Sequence, residues 1–498
     1  MNKTLLRLIS LLLLASMVAG GVLACGDSGK DPAVDTAAAD TTAEETEAPD
    51  PLAAYDLAGD TIRIYTSIDA TDSTNANALI EGTGEENGEI VNDTVYKRNM
   101  DVSELLNVQF EFIPASETYS TVQTAISKIV LAGDDVYDLI INDIFPMANL
   151  ALEGMFRDVS KHPVFDFEAE YWWHEYMKDL SVVGDTQYIM TGDFFMDVLC
   201  SAHALYFNKQ LIENMMGDPD IIYKKVLDGK WTCDEFLAIS SAGYQDLNGN
   251  TKPDMGDLWG FTCIGMWGSA MPFMVCGDLE FVSRDPDGSI NGYALNNERA
   301  GRTLVMLNDV FHDPATNTGL GDIPSLVANF TSGLSVFVGY QRIGDFANFR
   351  DTEFDVGVAP YPKLDELQER YVTGSHDTTE IGVIPVTSSK FDNTCVAVEA
   401  LCRETHRQVL PAYYETAMKV KYARDDITSQ MLDILHENLR VSFPTAYNGY
   451  LGGIFLNDPF ATPLSKKSTD FASAMAKIES KAAKNIEKMI ETYMTNMG

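Results

Sequence analysis

Apolar and polar residues alternate over Ile62-Arg63-Ile64-Tyr65 and again over Val108-Gln109-Phe110-Glu111-Phe112, the two-residue period of strands. Between them, Val91 to Leu106 reads as a helix. Beyond them, Val122, Ala125, Ile126, Ile129 and Val130 recur on one helical face, Gly133 ends that helix, and Val136 to Ile141 reads as a buried strand. Strand, helix, strand, helix, strand predicts a parallel sheet with both faces covered. Ligands of such sheets sit beyond the carboxyl ends of the strands, which singles out Tyr65, Thr66, Ser67, Asn142 and Asp143. Ala204 to Lys209 reads as a further strand feeding a helix with Leu211, Ile212 and Met215. The middle third, from Trp231 to Phe337, mixes helices with glycine-rich loops. Phe354, Val356 and Val358 alternate as a strand, Ile381 to Pro385 forms another, and helices follow to the end. The last helix carries Phe471, Met475, Ile478, Ala482, Ile486 and Met489 on one side, a face suited to packing on the body.

The first residues follow another pattern. Lys3 and Arg7 precede an apolar run through Leu11-Leu12-Leu13-Leu14-Ala15 that, at about 15 residues, falls short of a membrane span. Leu23-Ala24-Cys25 supplies a small-residue cleavage site, so residues 1–24 are expected to be a signal peptide. The pattern resembles the lipobox of bacterial lipoproteins, which implies that Cys25 becomes the diacylated amino terminus and that the protein works on the extracellular face of the cell membrane. From residue 25 to 56 the chain is rich in Asp, Glu, Thr, Ala and Ser, with too little apolar surface to offset ordering. It is expected to be an acidic tether kept extended by its own charge.

A formal charge of −39 argues against nucleic acid or an anionic lipid surface as partner. With 45% hydrophobic residues, the chain has material for two or three cores. Cys200, Cys233, Cys263, Cys276, Cys395 and Cys402 show no C-x-x-C spacing, so no zinc or redox motif is indicated. Cys395 and Cys402 lie on one helical face, about 10.5 Å apart along the axis. That exceeds the roughly 7 Å between bridged α-carbons, so buried thiols are expected there.

One stretch has metal geometry. Asp246, Asn248, Asn250, Asp254 and Asp257 put side-chain oxygens at loop positions one, three, five, nine and twelve, with the Lys252 carbonyl available as another ligand. This resembles an EF-hand or dockerin-type loop, with Thr251 at the sixth position in place of glycine and Asp257 in place of the bidentate glutamate. A structural calcium ion is the expectation, and an Asx-rich turn closed without metal is the alternative.

Ile129 to Leu139 (IVLAGDDVYDL), Tyr206-Phe207-Asn208-Lys209, Gly229-Lys230-Trp231-Thr232, Phe330 to Phe337 (FTSGLSVF) and Gly357 to Lys363 (GVAPYPK) follow one another in this order. In that order they resemble the bacterial extracellular solute-binding proteins, the maltose-binding-like family that serves ABC importers. The resemblance implies an α/β, two-lobed periplasmic-binding-protein-like (type II) fold with a crossover hinge. Lobe 1 would comprise residues 57–197 plus 378–409, and lobe 2 residues 198–377 plus 410–498. It also implies a lipid-anchored substrate-binding protein, not an enzyme, that captures a small solute, a carbohydrate, and delivers it to permease subunits.

By position in the family pattern, the ligand falls to Asn142 and Asp143 at a first-lobe strand end, Trp267 in a second-lobe loop, Tyr340 and Arg342 after Gly339, and Asp193 and His376 near the crossovers. Plainer readings exist: core packing for Trp267 and Tyr340, helix capping for Asn142 and Asp143, and packing rather than sugar stacking for Trp172 and Trp173. Two other functions stay open, a surface lipoprotein that senses or adheres and an extracellular glycan hydrolase. The hydrolase needs two carboxylates about 5 to 9.5 Å apart. Sharper enzyme motifs are missing, since no G-x-S-x-G surrounds Ser269, His174-Glu175 lacks a second histidine and no Walker loop occurs.

Overall fold

A computed structural model describes residues 50–67, 77–414 and 426–496. Cys25, the signal segment and the acidic stretch up to Pro49 lie outside them. In chain order the strands are β1 (Asp60–Thr66), β2 (Val108–Pro114), β3 (Leu139–Asp143), β4 (His203–Asn208), β5 (Trp259–Thr262), β6 (Val282–Arg284) and β7 (Ile290–Tyr293). There follow β8 (Thr316–Asn317), β9 (Ser335–Arg342), β10 (Val356–Ala359), β11 (Thr373–Gly374), β12 (Glu380–Val383) and β13 (Leu439–Arg440).

The first sheet has the order β12-β3-β1-β2. β1 runs parallel to β2 and to β3, as the alternation of strand and helix predicts, and β12 closes the edge antiparallel to β3. Ile62 and Ile64 pack with Leu139, Ile141, Val102 and Leu401 on one face, while Tyr65 and Ile140 meet Val122, Ile126 and Val130 on the other. Each such aliphatic side chain contributes roughly 1.5–3 kcal/mol on full burial. The alternation thus holds helices Ile90–Leu106 and Val122–Ala132 against opposite faces. β3 starts at Leu139, not Val136, and Val136 is exposed. The reason lies in Asp138, whose buried carboxylate accepts from Arg63 Nε at 2.8 Å, Arg63 Nη2 at 2.7 Å and Ser388 Oγ at 2.9 Å.

The second sheet has the order β10-β4-β9-β5-β8, with β4 antiparallel to β9 and β10, and β5 parallel to β8 and β9. β5 and β8 come from the stretch read as helices and loops. Trp259-Gly260-Phe261-Thr262 is buried throughout and too short to show a period. Rings of Phe236, Phe261, Phe273, Phe311 and Phe337 interlock behind it.

The chain passes from the first sheet to the second through a turn at Asp193–Phe195 and a short helix, Asp197–Cys200, and returns between β11 and β12. The two passages lie side by side. Ala202 bridges Ser375, and the His376 N–H donates to the Ser201 carbonyl at 3.0 Å. Asp197 Oδ2 ties them, accepting from Ser201 Oγ and from the Glu380 N–H, both at 2.9 Å.

Helix Phe471–Asn496 buries the face its period predicts and adds Tyr493, whose hydroxyl meets Thr186 Oγ1 at 2.8 Å. Asn496 Nδ2 donates to the Leu152 carbonyl at 2.9 Å. This helix therefore packs on residues 152 and 186 as well as on its own half, and buried side chains run unbroken from Ile140 and Met147 to Phe207 and Tyr447. The six cysteines among the described residues are buried thiols. No helix of the described residues is long and apolar enough to cross a membrane.

Candidate ligand cleft

Where the strand ends of the first sheet face those of the second, five elements converge. β2 ends just before Tyr119, and β3 leads through Asn142 and Asp143 into helix Ile144–Leu152, whose second residue is Phe145. The rings of Tyr119 and Phe145 stack with centroids 5.9 Å apart. Opposite them, Tyr340 on β9 directs its hydroxyl to His376 Nε2 at 3.3 Å, while His376 Nδ1 lies 2.9 Å from Thr378 Oγ1 and 2.9 Å from Asp377 Oδ1. A cavity of about 190 Å³ lies here, bounded by Phe145, Met271, Asp377, Thr445 and Asn448. Tyr119, Phe145, Tyr340 and His376 are half-buried, as walls of a cleft are.

Tyr340 is held in a left-handed backbone conformation, φ +59°, which costs a bulky residue on the order of 1–3 kcal/mol. Its N–H donates to the Tyr361 hydroxyl at 3.2 Å, and its ring lies so close to Gly268 that a Cβ there would stand 2.8 Å from it. Gly268 is therefore required by close approach rather than by a turn.

Charge in the cleft is negative. Burial raises the Tyr119 phenol to about 12, and the carboxylates of Asp377 and Asp143 add to the shift. Burial works to raise the Asp377 carboxyl, yet the hydrogen bond and charge of His376 outweigh it and hold the group below its ordinary value. Behind them, burial pushes the His203 imidazole down to about 3, so this ring, 5.8 Å from His376, is neutral.

The structure thus brings Asn142, Asp143, Tyr340 and His376 to one region. Asp143 occupies the N-cap position of its helix without a side-chain capping bond. Arg342 lies two residues beyond Tyr340 but is 7% exposed and turned to Asp345 at 3.4 Å. Trp267 falls in helix Met266–Cys276 beside Gly268, and its side chain lies outside the described residues. Tyr119, Phe145 and Asp377 were missed from sequence. Tyr119 could have been found by applying the strand-end rule to β2, and Phe145 and Asp377 by widening it from Asp143 and His376.

No family model matches the sequence, and no curated protein matches it. Solved structures do. A cyclo/maltodextrin-binding protein complexed with maltotetraose superimposes with a TM-score of 0.55 at 14% identity, covering 86% of this chain and 96% of that one. The maltose/maltodextrin-binding domain MalE from Bdellovibrio bacteriovorus, bound to maltotriose, gives 0.52 at 13% identity, covering 86% and 100%. The fold is that of the maltodextrin-binding proteins. Within this type II fold the cleft described above lies between the two sheets.

Asp193 belongs to a different group. Its carboxylate, 2% exposed, accepts from Trp173 Nε1 at 2.8 Å and shares a 2.6 Å hydrogen bond with His406 Nδ1. His406 sits in a π-helical turn, Thr405–Val409, that continues helix Phe391–Glu404. Burial raises the Asp193 carboxyl more than His406 lowers it. The His406 imidazole is raised too, first by its hydrogen bond to Asp193. Each group binds its proton more tightly folded than unfolded, so the stability it contributes is present at low pH and lost as pH rises through the folded pKa. For His406 the loss begins above the ordinary value of 6.5. Melting temperature is expected to fall as pH rises from 6.5, with a shallower slope in His406→Gln; equal slopes would exclude this pair as the source.

The loop from Asp246 to Asp257 is shaped by side chains that accept from its own backbone. Asp246 accepts from the N–H groups of Gly249 and Thr251, both at 2.7 Å. Asn248 and Asn250 turn their amide nitrogens to Asp254, and the Lys252 N–H donates to Asn250 Oδ1 at 2.7 Å. Asp257 is buried and accepts from Tyr244, Leu247 and Asp254. Asx turns therefore shape this loop.

Proposed function

We propose that this protein is a solute receptor that holds a carbohydrate in the cleft between its two sheets and does no chemistry on it. The observation that carries this reading is the gathering of ring faces and planar polar groups around one cleft: Phe145 and Asp377 line its cavity, Tyr119 stacks on Phe145 near Asp143, and His376 joins Asp377 to Tyr340. A sugar has apolar C–H faces and a hydroxyl rim, and this is the complement it requires. The neighbours of like fold carry maltotetraose and maltotriose, which supports a glucan oligosaccharide as the first ligand to try. The cavity of about 190 Å³ is smaller than the roughly 300–1,000 Å³ of typical ligand sites. Entry then requires the sides to part, with residues 57–197 plus 378–409 moving against residues 198–377 plus 410–498. Ligand touching both sides favours the closed form by its differential affinity, a difference that permease subunits of an ABC importer could sense. Anchoring through a lipid on Cys25 at the extracellular face of the membrane completes the proposal and is supported by the sequence from Leu11 to Cys25.

The test is calorimetry and thermal melting with a panel of malto-, cello- and xylo-oligosaccharides. One series is expected to bind saturably, raise the melting temperature and be recovered intact. Binding by no member would remove the carbohydrate assignment, and release of shortened sugars would make the protein a hydrolase.

A further inference from the structure

Apart from the cleft, a larger cavity of about 420 Å³ opens between the aromatic segment around residues 167–173, helix His174–Leu180 and the end of helix Asp426–Glu437. Its walls are Phe167, Trp173, Tyr176 and Leu439. The carboxylates of Glu168, Glu170, Glu175 and Glu437 stand on its rim, the first three 79%, 81% and 85% exposed. The imidazoles of His174 and His436 also line it; His174 Nδ1 meets Glu168 at 2.8 Å, His406 Nε2 meets Glu170 at 3.2 Å, and Lys178 meets Glu175 at 3.3 Å, while no lysine or arginine is part of the lining.

The aromatic walls are fixed in advance. The Trp173 indole is pinned through Nε1 to Asp193, which His406 grips in turn, and its ring meets Tyr176 at 61° with centroids 6.0 Å apart. The Tyr176 hydroxyl lies 3.2 Å from Ser375 Oγ. Trp172, next in sequence, is locked by Glu399 and packs edge-on to Phe165 and Phe167. With its indole N–H and its phenol engaged inside the protein, the box offers its contents ring faces and four carboxylates against two imidazoles. A cation needs only π faces and negative charge, and tryptophan is the best such face.

We propose that this cavity is a second binding site, separate from the cleft, for a small organic cation such as a quaternary ammonium group. Choline is the probe, and its uncharged isostere 3,3-dimethylbutanol is the control. Titration followed by tryptophan fluorescence and calorimetry is expected to show saturable choline binding and at least about tenfold weaker binding of the isostere. Trp173→Ala is expected to lose about tenfold in choline affinity. Glu168→Gln combined with Glu175→Gln changes only exposed groups, so it keeps the fold; it is expected to weaken choline about threefold and to flatten the salt dependence. Tyr340→Ala, a cleft variant, is expected to bind choline as wild type does, which separates failure of this site from failure of the carbohydrate reading. Retention on phosphatidylcholine vesicles would mark a lipid head group as the source and its absence a free cation, and either upholds the site. Lack of saturable choline binding, equal affinity for the isostere, choline binding lost in Tyr340→Ala, or choline binding unchanged in the double glutamine variant would overturn it.

Discussion

Gly260→Ala is expected to destabilise the folded body by roughly 3 kcal/mol, at or beyond the upper end of the usual range for overpacking a core. Gly260 lies in β5 where the strand crosses the end of helix Cys233–Ala242. A Cβ at this position would stand 1.8 Å from the Ser240 carbonyl oxygen and 2.6 Å from its carbon. Both obstacles are backbone, so no rotamer change relieves the contact, and the helix has to lift from the sheet. Lifting it opens the interlocked rings of Phe236, Phe261 and Phe337. Gly321→Ala is the control, because nothing stands within 4 Å of its Cβ position. That substitution is expected to stay within about 0.5 kcal/mol of wild type. Urea unfolding checks both, with the midpoint shifting for Gly260→Ala at an unchanged slope. Equal midpoints for the two variants would mean that the strand and helix are not in this close contact.

Tyr340→Ala is expected to weaken binding of the oligosaccharide proposed for the cleft by about 2 kcal/mol, close to thirtyfold, the level at which a single buried aromatic dominates a binding site. The substitution removes a ring face and the hydroxyl that meets His376. Tyr340→Ala gives up packing on Gly268 and keeps the Cβ that the positive φ strains, so some stability is expected to be lost with the affinity. Tyr340→Gly sharpens the test. It carries no penalty at positive φ, so it should bind as weakly as the alanine variant and fold at least as stably. Tyr340→Phe keeps the ring and loses only the contact to His376, which should leave an intermediate affinity. Wild-type affinity in Tyr340→Ala would make this side chain a packing residue and move the ligand elsewhere.

These two positions mark what different kinds of pattern could say. The period along Ile62 to Tyr65 and along Phe471 to Met489 announced both the element and its buried face, and the structure buries those residues. The same reasoning named Asn142 and Asp143, because the end of a strand is a place the chain order already defines. It did not reach β5 and β8, which are short and buried throughout, nor the antiparallel setting of β12, which depends on which edge of the sheet lay open. Oxygen spacing from Asp246 to Asp257 suggested a cation. The loop also turns its carboxylates to its own N–H groups, an arrangement that φ angles such as +62° at Thr251 set and spacing does not.

Local order along the chain determined the strands, the helices, their apolar faces and the expectation of an α/β sheet protein, because period and caps act between residues a few positions apart. Only the tertiary structure decided which side chains meet. Asp193 stands near a crossover in sequence, yet the fold gives its carboxylate to Trp173 and His406, the latter 213 residues away, and so makes it the anchor of an aromatic wall. Tyr119, Phe145, Tyr340 and His376 come from four separate stretches and share a cleft because two sheets turn their strand ends toward one another. Contacts between distant segments depend on how whole layers pack, and no periodicity within a segment encodes them.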